Sequence, residues 1–179
     1  MALAWDGSAT HHVEVEALGG GFLDADSVLG LDMLFLAKSR DFIKGHVKTS
    51  PDKPFFLFHS AQAVHLPSFA GRAFKGKTEA GPHGDFIFEL DYVVGRLMSK
   101  LDQLGYGENT LVIFSSDNGP EVPTVIDMRK THKHDGARPW RGVKRDQWEG
   151  GHRVPFIARW PGKIKAGFVT DQTISLTDI

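Results

Sequence analysis

The chain has 179 residues, 41% apolar and 24% charged, which is enough to bury the core of one globular domain and excludes a disordered segment. Lysine and arginine number 21 against 22 acids, and the net charge of -1 excludes the broad positive field that draws proteins to nucleic acid or anionic membranes. Any anion must therefore be held locally, and with no cysteine the chain has no disulfide, thiolate metal site or cysteine nucleophile.

Residues 1 to about 27 are poorly periodic and carry Gly19, Gly20 and Gly21 together, which predicts a loop or frayed arm. The opening MALAWDGSAT has no basic stretch leading into an apolar run, and no segment is apolar over bilayer length. The chain as written therefore reads as soluble and without a signal peptide. Val28, Leu31, Leu34, Phe35, Phe42 and Ile43 recur at helical spacing, so a helix is predicted to about Val47 with Asp26 and Ser27 as candidate caps. Ser50, Pro51 and Asp52 end it.

Phe55 to Phe58 form an apolar run after Pro54 and read as a buried strand, followed by an irregular connection from Ser60 to Gly81. Phe86, Leu90, Val93, Leu97, Leu101 and Leu104 mark one broad helical face, with Gly105 where a left-handed cap belongs. Thr110 to Phe114 is a second strand, ending in SSDNG, and Val154 to Trp160 a third. Strands alternating with helices predict an α/β fold, a mostly parallel sheet flanked by helices, with ligands beyond the carboxyl ends of strands. Between Gly119 and Gly151 no periodicity is evident, and so long a loop points to function.

Asp117 and Asn118 offer adjacent carboxylate and amide oxygens that suit a hard cation such as calcium, although Asp-Asn-Gly is also an ordinary turn sequence. His65, in AVHLP, is placed to hydrogen-bond an anionic ester or protonate a leaving oxygen; His59, His83, His132 and His134 read as surface or structural. Lys144 lies among Arg141, Arg145, Arg153 and several glycines, a composition that suits sulfate or phosphate oxygen and equally a solvated basic loop. Trp140 and Trp148 read as packing anchors of that loop.

The segments PFFLFHSAQAVHLP, GDFIFELDYVVGRLMSKLDQLGYGENTLVIFSSDNGP and RPWRGVKRDQWEGGHRVPFIARWPGKIKAGFVTDQTISLTDI together resemble the sulfatases, arylsulfatase-like members of the alkaline-phosphatase superfamily, from about Val28 to Ile179. The resemblance implies part of an alkaline-phosphatase-like sandwich over 28–179, truncated at both ends, with 1–27 poorly matched. It implies that Asp117 and Asn118 are calcium ligands and that His65 and Lys144 contact the sulfate, the histidine also serving as proton donor to the leaving group. The substrate it implies is a sulfate ester, hydrolysed by a formylglycine made within a Cys/Ser-x-Pro-x-Arg motif.

That motif is absent, since no serine here is followed by proline two positions on and arginine four positions on. The family's Asp-Asp metal pair is missing as well, because Asp24 and Asp26 are separated by Ala25. The reading is a calcium-dependent sulfatase domain lacking its nucleophile and inactive alone. The alternatives are a phosphate-ester hydrolase of the same superfamily, or a non-catalytic fragment that self-associates through an exposed sheet edge. The compartment is left open, an upstream export signal being compatible with the resemblance.

Overall fold

The computed structural model describes residues 2–5, 10–13, 30–68 and 70–179. The predicted arm with Gly19 to Gly21 and the candidate caps Asp26 and Ser27 lie outside the described residues. The chain divides into two compact units, Met1–Leu104 and Gly105–Ile179.

In the first unit β1 (Ala2–Trp5) pairs antiparallel with β2 (Thr10–Val13) and with β3 (Phe56–His59), giving the order β2-β1-β3. Helix α1 (Leu31–Thr49) buries Leu36, Ser39, Ile43 and His46, a spacing of three and four that puts them on one face. Helix α2 (Gly81–Gln103) starts with proline in its first turn and buries Phe86, Val93 and Leu101. It ends as the sequence predicts, with Gly105 at φ +78 just past the last turn. The two helices pack on each other. Phe86 closes a core with Ala63, Ala70 and Phe74 from the irregular connection, and Met33, Val64 and Leu90 pack around it. Burying a phenylalanine in this way contributes roughly 2–3 kcal/mol, so this cluster fixes the connection onto the helices.

In the second unit β4 (Val112–Ser115) pairs antiparallel with β5 (Phe156–Arg159), in register from Val112 opposite Arg159 to Ser115 opposite Phe156. Between them lie α3 (Val122–Thr131) and the single turn α4 (Glu149–His152). Val125, Met128 and Ala137 form the buried apolar positions of this stretch.

Three expectations are corrected. Every strand pair among the described residues is antiparallel, so the mostly parallel sheet is not found here. The helical connection from β3 to β4 would allow them to be parallel neighbours, but they belong to separate sheets, and each takes a partner running the other way. The strand at 55–58 is not buried on both faces, because Phe56 and Phe58 are 58% and 52% exposed and only the alternate positions turn inward. The connection from Gly119 to Gly151 is not featureless, since α3 occupies ten of its residues.

Candidate functional site

His65 sits in the connection of the first unit, which has no regular structure of its own. Buried carboxylates on the helices supply the hydrogen bonds that such backbone needs. Asp32, at the start of α1 and 3% exposed, accepts Gln62 N–H at 2.8 Å on Oδ1 and Ala63 N–H at 2.9 Å on Oδ2. The His65 N–H then donates to the Gln62 carbonyl at 2.9 Å, which closes a tight turn. Further along, Glu89, 1% exposed, accepts Gly71 N–H at 2.7 Å. Asp85 accepts the backbone N–H groups of Gly76, Lys77 and Thr78 at 2.6, 3.0 and 2.9 Å, and the Thr78 hydroxyl at 3.1 Å.

Asp85 and Glu89 titrate differently. Burial works to raise Asp85, but its hydrogen bonds together outweigh burial and hold it below the usual carboxylate range. Burial dominates at Glu89 and raises it; the Gly71 N–H opposes this and the nearby charge of Asp32 adds to it.

His65 is exposed, and its Nδ1 lies 2.6 Å from the Leu66 carbonyl oxygen. A carbonyl only accepts, so Nδ1 carries the proton and Nε2 is the nitrogen left to meet a ligand. His59 and His83 are different. Burial lowers the pKa of both and keeps them neutral, and their Nδ1 atoms pair with Ser39 and Ser68 hydroxyls at 2.9 and 3.0 Å.

In the second unit, Asp117 and Asn118 lie just past the end of β4, after Ser116. The Ser115 hydroxyl donates to the Pro155 carbonyl at 3.0 Å, which ties the end of β4 to the residue before β5. Asn118 Nδ2 donates to the Gly119 carbonyl at 3.0 Å, which leaves Oδ1 as a free acceptor. Asp117 is exposed and has no ion pair or hydrogen bond among the described residues.

Glycine backbone brings Lys144 to this turn. Gly119 N–H donates to Gly151 carbonyl and Lys144 N–H to Pro120 carbonyl, both at 2.9 Å, while Gly150 N–H donates to Arg141 carbonyl at 2.8 Å. The approach leaves no room for side chains. A Cβ on Gly119 would lie 1.8 Å from the Gly150 carbonyl oxygen, and one on Gly150 would lie 2.1 Å from that of Gly142. The strand-end pair and Lys144 thus share one clasped loop, whereas His65 is held separately in its own unit.

Glu121 caps α3 by accepting Val122 N–H at 3.0 Å. Its carboxylate also takes the Arg145 guanidinium at 2.6 Å and lies 3.9 Å from Lys144 Nζ. The Val122 N–H, with Arg145 and Lys144 adding their charges, keeps Glu121 below the usual carboxylate range. Trp148 and Trp140 are not buried packing anchors, being 47% and 40% exposed; each instead carries a guanidinium over its ring, Arg141 at 3.7 Å and Arg153 at 3.9 Å.

The oxygens of Asp117 and Asn118 are hard donors of the kind calcium or magnesium takes, but such ions want about six or more. No cluster of three or more histidines and acids able to hold a metal occurs among the described residues. The pair therefore fits as part of a donor set.

A sequence model of the Sulfatase family matches residues 14–179, a match that begins upstream of Val28. The chain is 39% identical over 131 residues to an N-acetylgalactosamine-6-O-sulfatase of Bacteroides thetaiotaomicron, covering 72% of this chain and 25% of that protein. It is 38% identical over 150 residues to human arylsulfatase A, covering 84% and 28%. Among solved structures, the sulfatase PsFucS1 from a Pseudoalteromonas species superposes with a TM-score of 0.68 at 38% identity, over 80% of this chain and 27% of that one. The chain spans about a quarter of the length of the curated relatives it matches.

Proposed function

We infer that this chain, which belongs to the sulfatase family, supplies the anion-holding part of a sulfate-monoester hydrolase. The observation that carries this reading is the glycine clasp, because it holds the Lys144 backbone on the same loop as a carboxylate and an amide oxygen at a strand end. Lys144 is a point charge suited to a sulfate oxygen, and a fixed charge stabilises the transition state without reorganising. His65, exposed and with Nδ1 engaged by the Leu66 carbonyl, is suited to protonate the departing alcohol or phenol oxygen through Nε2. Asp117 and Asn118 would hold calcium together with oxygens from elsewhere, and the bound cation would offset sulfate charge. Attack on sulfur is left to a residue this sequence does not contain, since the Cys/Ser-x-Pro-x-Arg motif is absent.

Relatives named for N-acetylgalactosamine 6-sulfate favour a sulfated sugar as the substrate class. A non-catalytic, self-associating fragment is the second reading, favoured by the uncovered apolar side chains Phe56, Phe58 and Ile157 on the strands. No described helix is long and apolar enough to cross a membrane.

The roles are tested in a protein that joins this chain to a segment carrying the nucleophile motif. His65→Ala and Lys144→Ala should each lower kcat/KM for an aryl sulfate by roughly 10²-fold or more, as expected on losing a proton donor or a preorganised charge. Asp117→Ala should first raise the calcium concentration needed. Unchanged kinetics in Lys144→Ala would remove the assignment.

A further inference from the structure

Sulfate and phosphate esters offer similar oxygens to a lysine, so the clasped loop by itself does not choose between them. They differ in charge. A sulfate monoester carries one negative charge, whereas a phosphate monoester, with a second pKa near 6, carries close to two at neutral pH. A site that discriminates by charge must therefore control how many uncompensated cations it presents.

Lys144 and Arg145 are adjacent, and two free cations would suit the dianion. Glu121 changes this count. Its Oε1 takes Arg145 Nη1 at 2.6 Å and its Oε2 lies 3.9 Å from Lys144 Nζ, so the arginine is tightly paired and the lysine only loosely. Within this triad one carboxylate stands against two cations. Asp146 is not part of this triad; its carboxylate accepts Val143 N–H at 3.0 Å. The Arg145 side chain is 71% exposed, and an ion pair so exposed adds little stability, which makes local charge its main consequence. The backbone supports the same reading. Arg145 has φ +76, a left-handed conformation that glycine adopts without strain, so an arginine here is held against its backbone preference while its guanidinium reaches Glu121.

We propose that Glu121 is a specificity-determining residue, which pairs with Arg145 and so lowers the positive charge beside Lys144, matching the loop to a singly charged sulfate ester over a doubly charged phosphate ester. The proposal rests on the reading of Lys144 as the sulfate contact. It places no new group at the reacting atoms, and Glu121 acts through the charge of the turn.

The test titrates phenyl sulfate and phenyl phosphate against the 179-residue chain at pH 8 and low ionic strength, following the amide signals of Lys144 and Arg145 by NMR. Glu121→Gln keeps an oxygen to cap Val122 but removes the charge. It should tighten phenyl phosphate by roughly 10-fold and phenyl sulfate by roughly 3-fold, the expected scale for one partly screened charge, and the gain should shrink in salt. Arg145→Gly relaxes the backbone yet removes one positive charge from the turn, so it should weaken both anions, the phosphate more. A purely structural pair predicts instead that both variants move affinity in the same direction, with the ratio between the two ligands unchanged. That outcome overturns the proposal, as does failure of Glu121→Gln to bind phenyl phosphate at tens of millimolar. Lys144→Ala separates the two layers of the argument. If it leaves binding intact, the assignment of Lys144 falls; if it abolishes binding while Glu121→Gln leaves the ratio untouched, only the role of Glu121 falls.

Discussion

Both units must hold an irregular segment that carries a candidate site residue, and they do so by different means. The His65 segment is held by side chains, with Asp32, Asp85 and Glu89 reaching out from two helices to take its N–H groups. The Lys144 loop is held by backbone on backbone, with Gly119, Gly142, Gly150 and Gly151 in contacts too close for a Cβ. The first arrangement depends on burying charge and so on pH, whereas the glycine contacts of the second depend on the absence of atoms and are themselves indifferent to pH.

The largest effect should come from adding one carbon to the clasp. Gly119→Ala drives a Cβ into the Gly150 carbonyl oxygen, which is backbone and cannot turn aside, so a loss of roughly 3 kcal/mol or more is expected in urea unfolding of the second unit. A loss below about 1 kcal/mol would mean that the loops separate easily. Next is Asp32→Ala, which leaves two N–H groups unpaired and should cost roughly 2 kcal/mol. Hydrogen exchange at the Gln62 and Ala63 amides should then accelerate while the Lys144 amide is unaffected.

A smaller effect should appear on titration. Asp85 and Asp135 are depressed in the folded state, Asp135 to about 2 chiefly through its bond to Arg129, so the stability they confer is present above the ordinary value of 3.8 and lost as pH falls through the folded value. Glu89 has the opposite sign. Its folded pKa is raised above 4.5, so its contribution is present below 4.5 and is lost as pH rises through the folded value. Glu89→Gln should therefore flatten the dependence of Tm on pH above 4.5 and leave the acid limb in place. The smallest effect is expected from Arg138→Ala, whose exposed pair with Asp135 at 3.2 Å should contribute less than about 0.5 kcal/mol.

The two arrangements also differ in how far the sequence discloses them. The paired helices of the first unit are legible from apolar spacing, and the cap at Gly105 from its place after Leu104. Helix α3 is not legible, since it buries only Thr124, Val125 and Met128 and its remaining turns are polar. Nor is the direction of strand pairing, because an apolar run such as Phe55 to Phe58 carries no record of its partner or of which face is covered. Asp117, Asn118, His65 and Lys144 stand out by residue type and place, and their proposed roles come from the resemblance of their segments. Asp32, Glu89 and Glu121 are missed, because a carboxylate on a helix reads as a solvated acid until its partners are seen. The glycine clasp left a trace in SDNG and EGG, although spacing does not reveal that the two meet.

The central claim is that these residues hold and orient a sulfate ester but do not attack it. Hydrolysis of an aryl sulfate by the purified chain, with and without calcium, tests this most directly. The account predicts no turnover above buffer in either condition, because Asp117 and Asn118 are too few oxygens to hold the ion and no nucleophile motif is present. Calcium-dependent turnover that disappears in Asp117→Ala would contradict it.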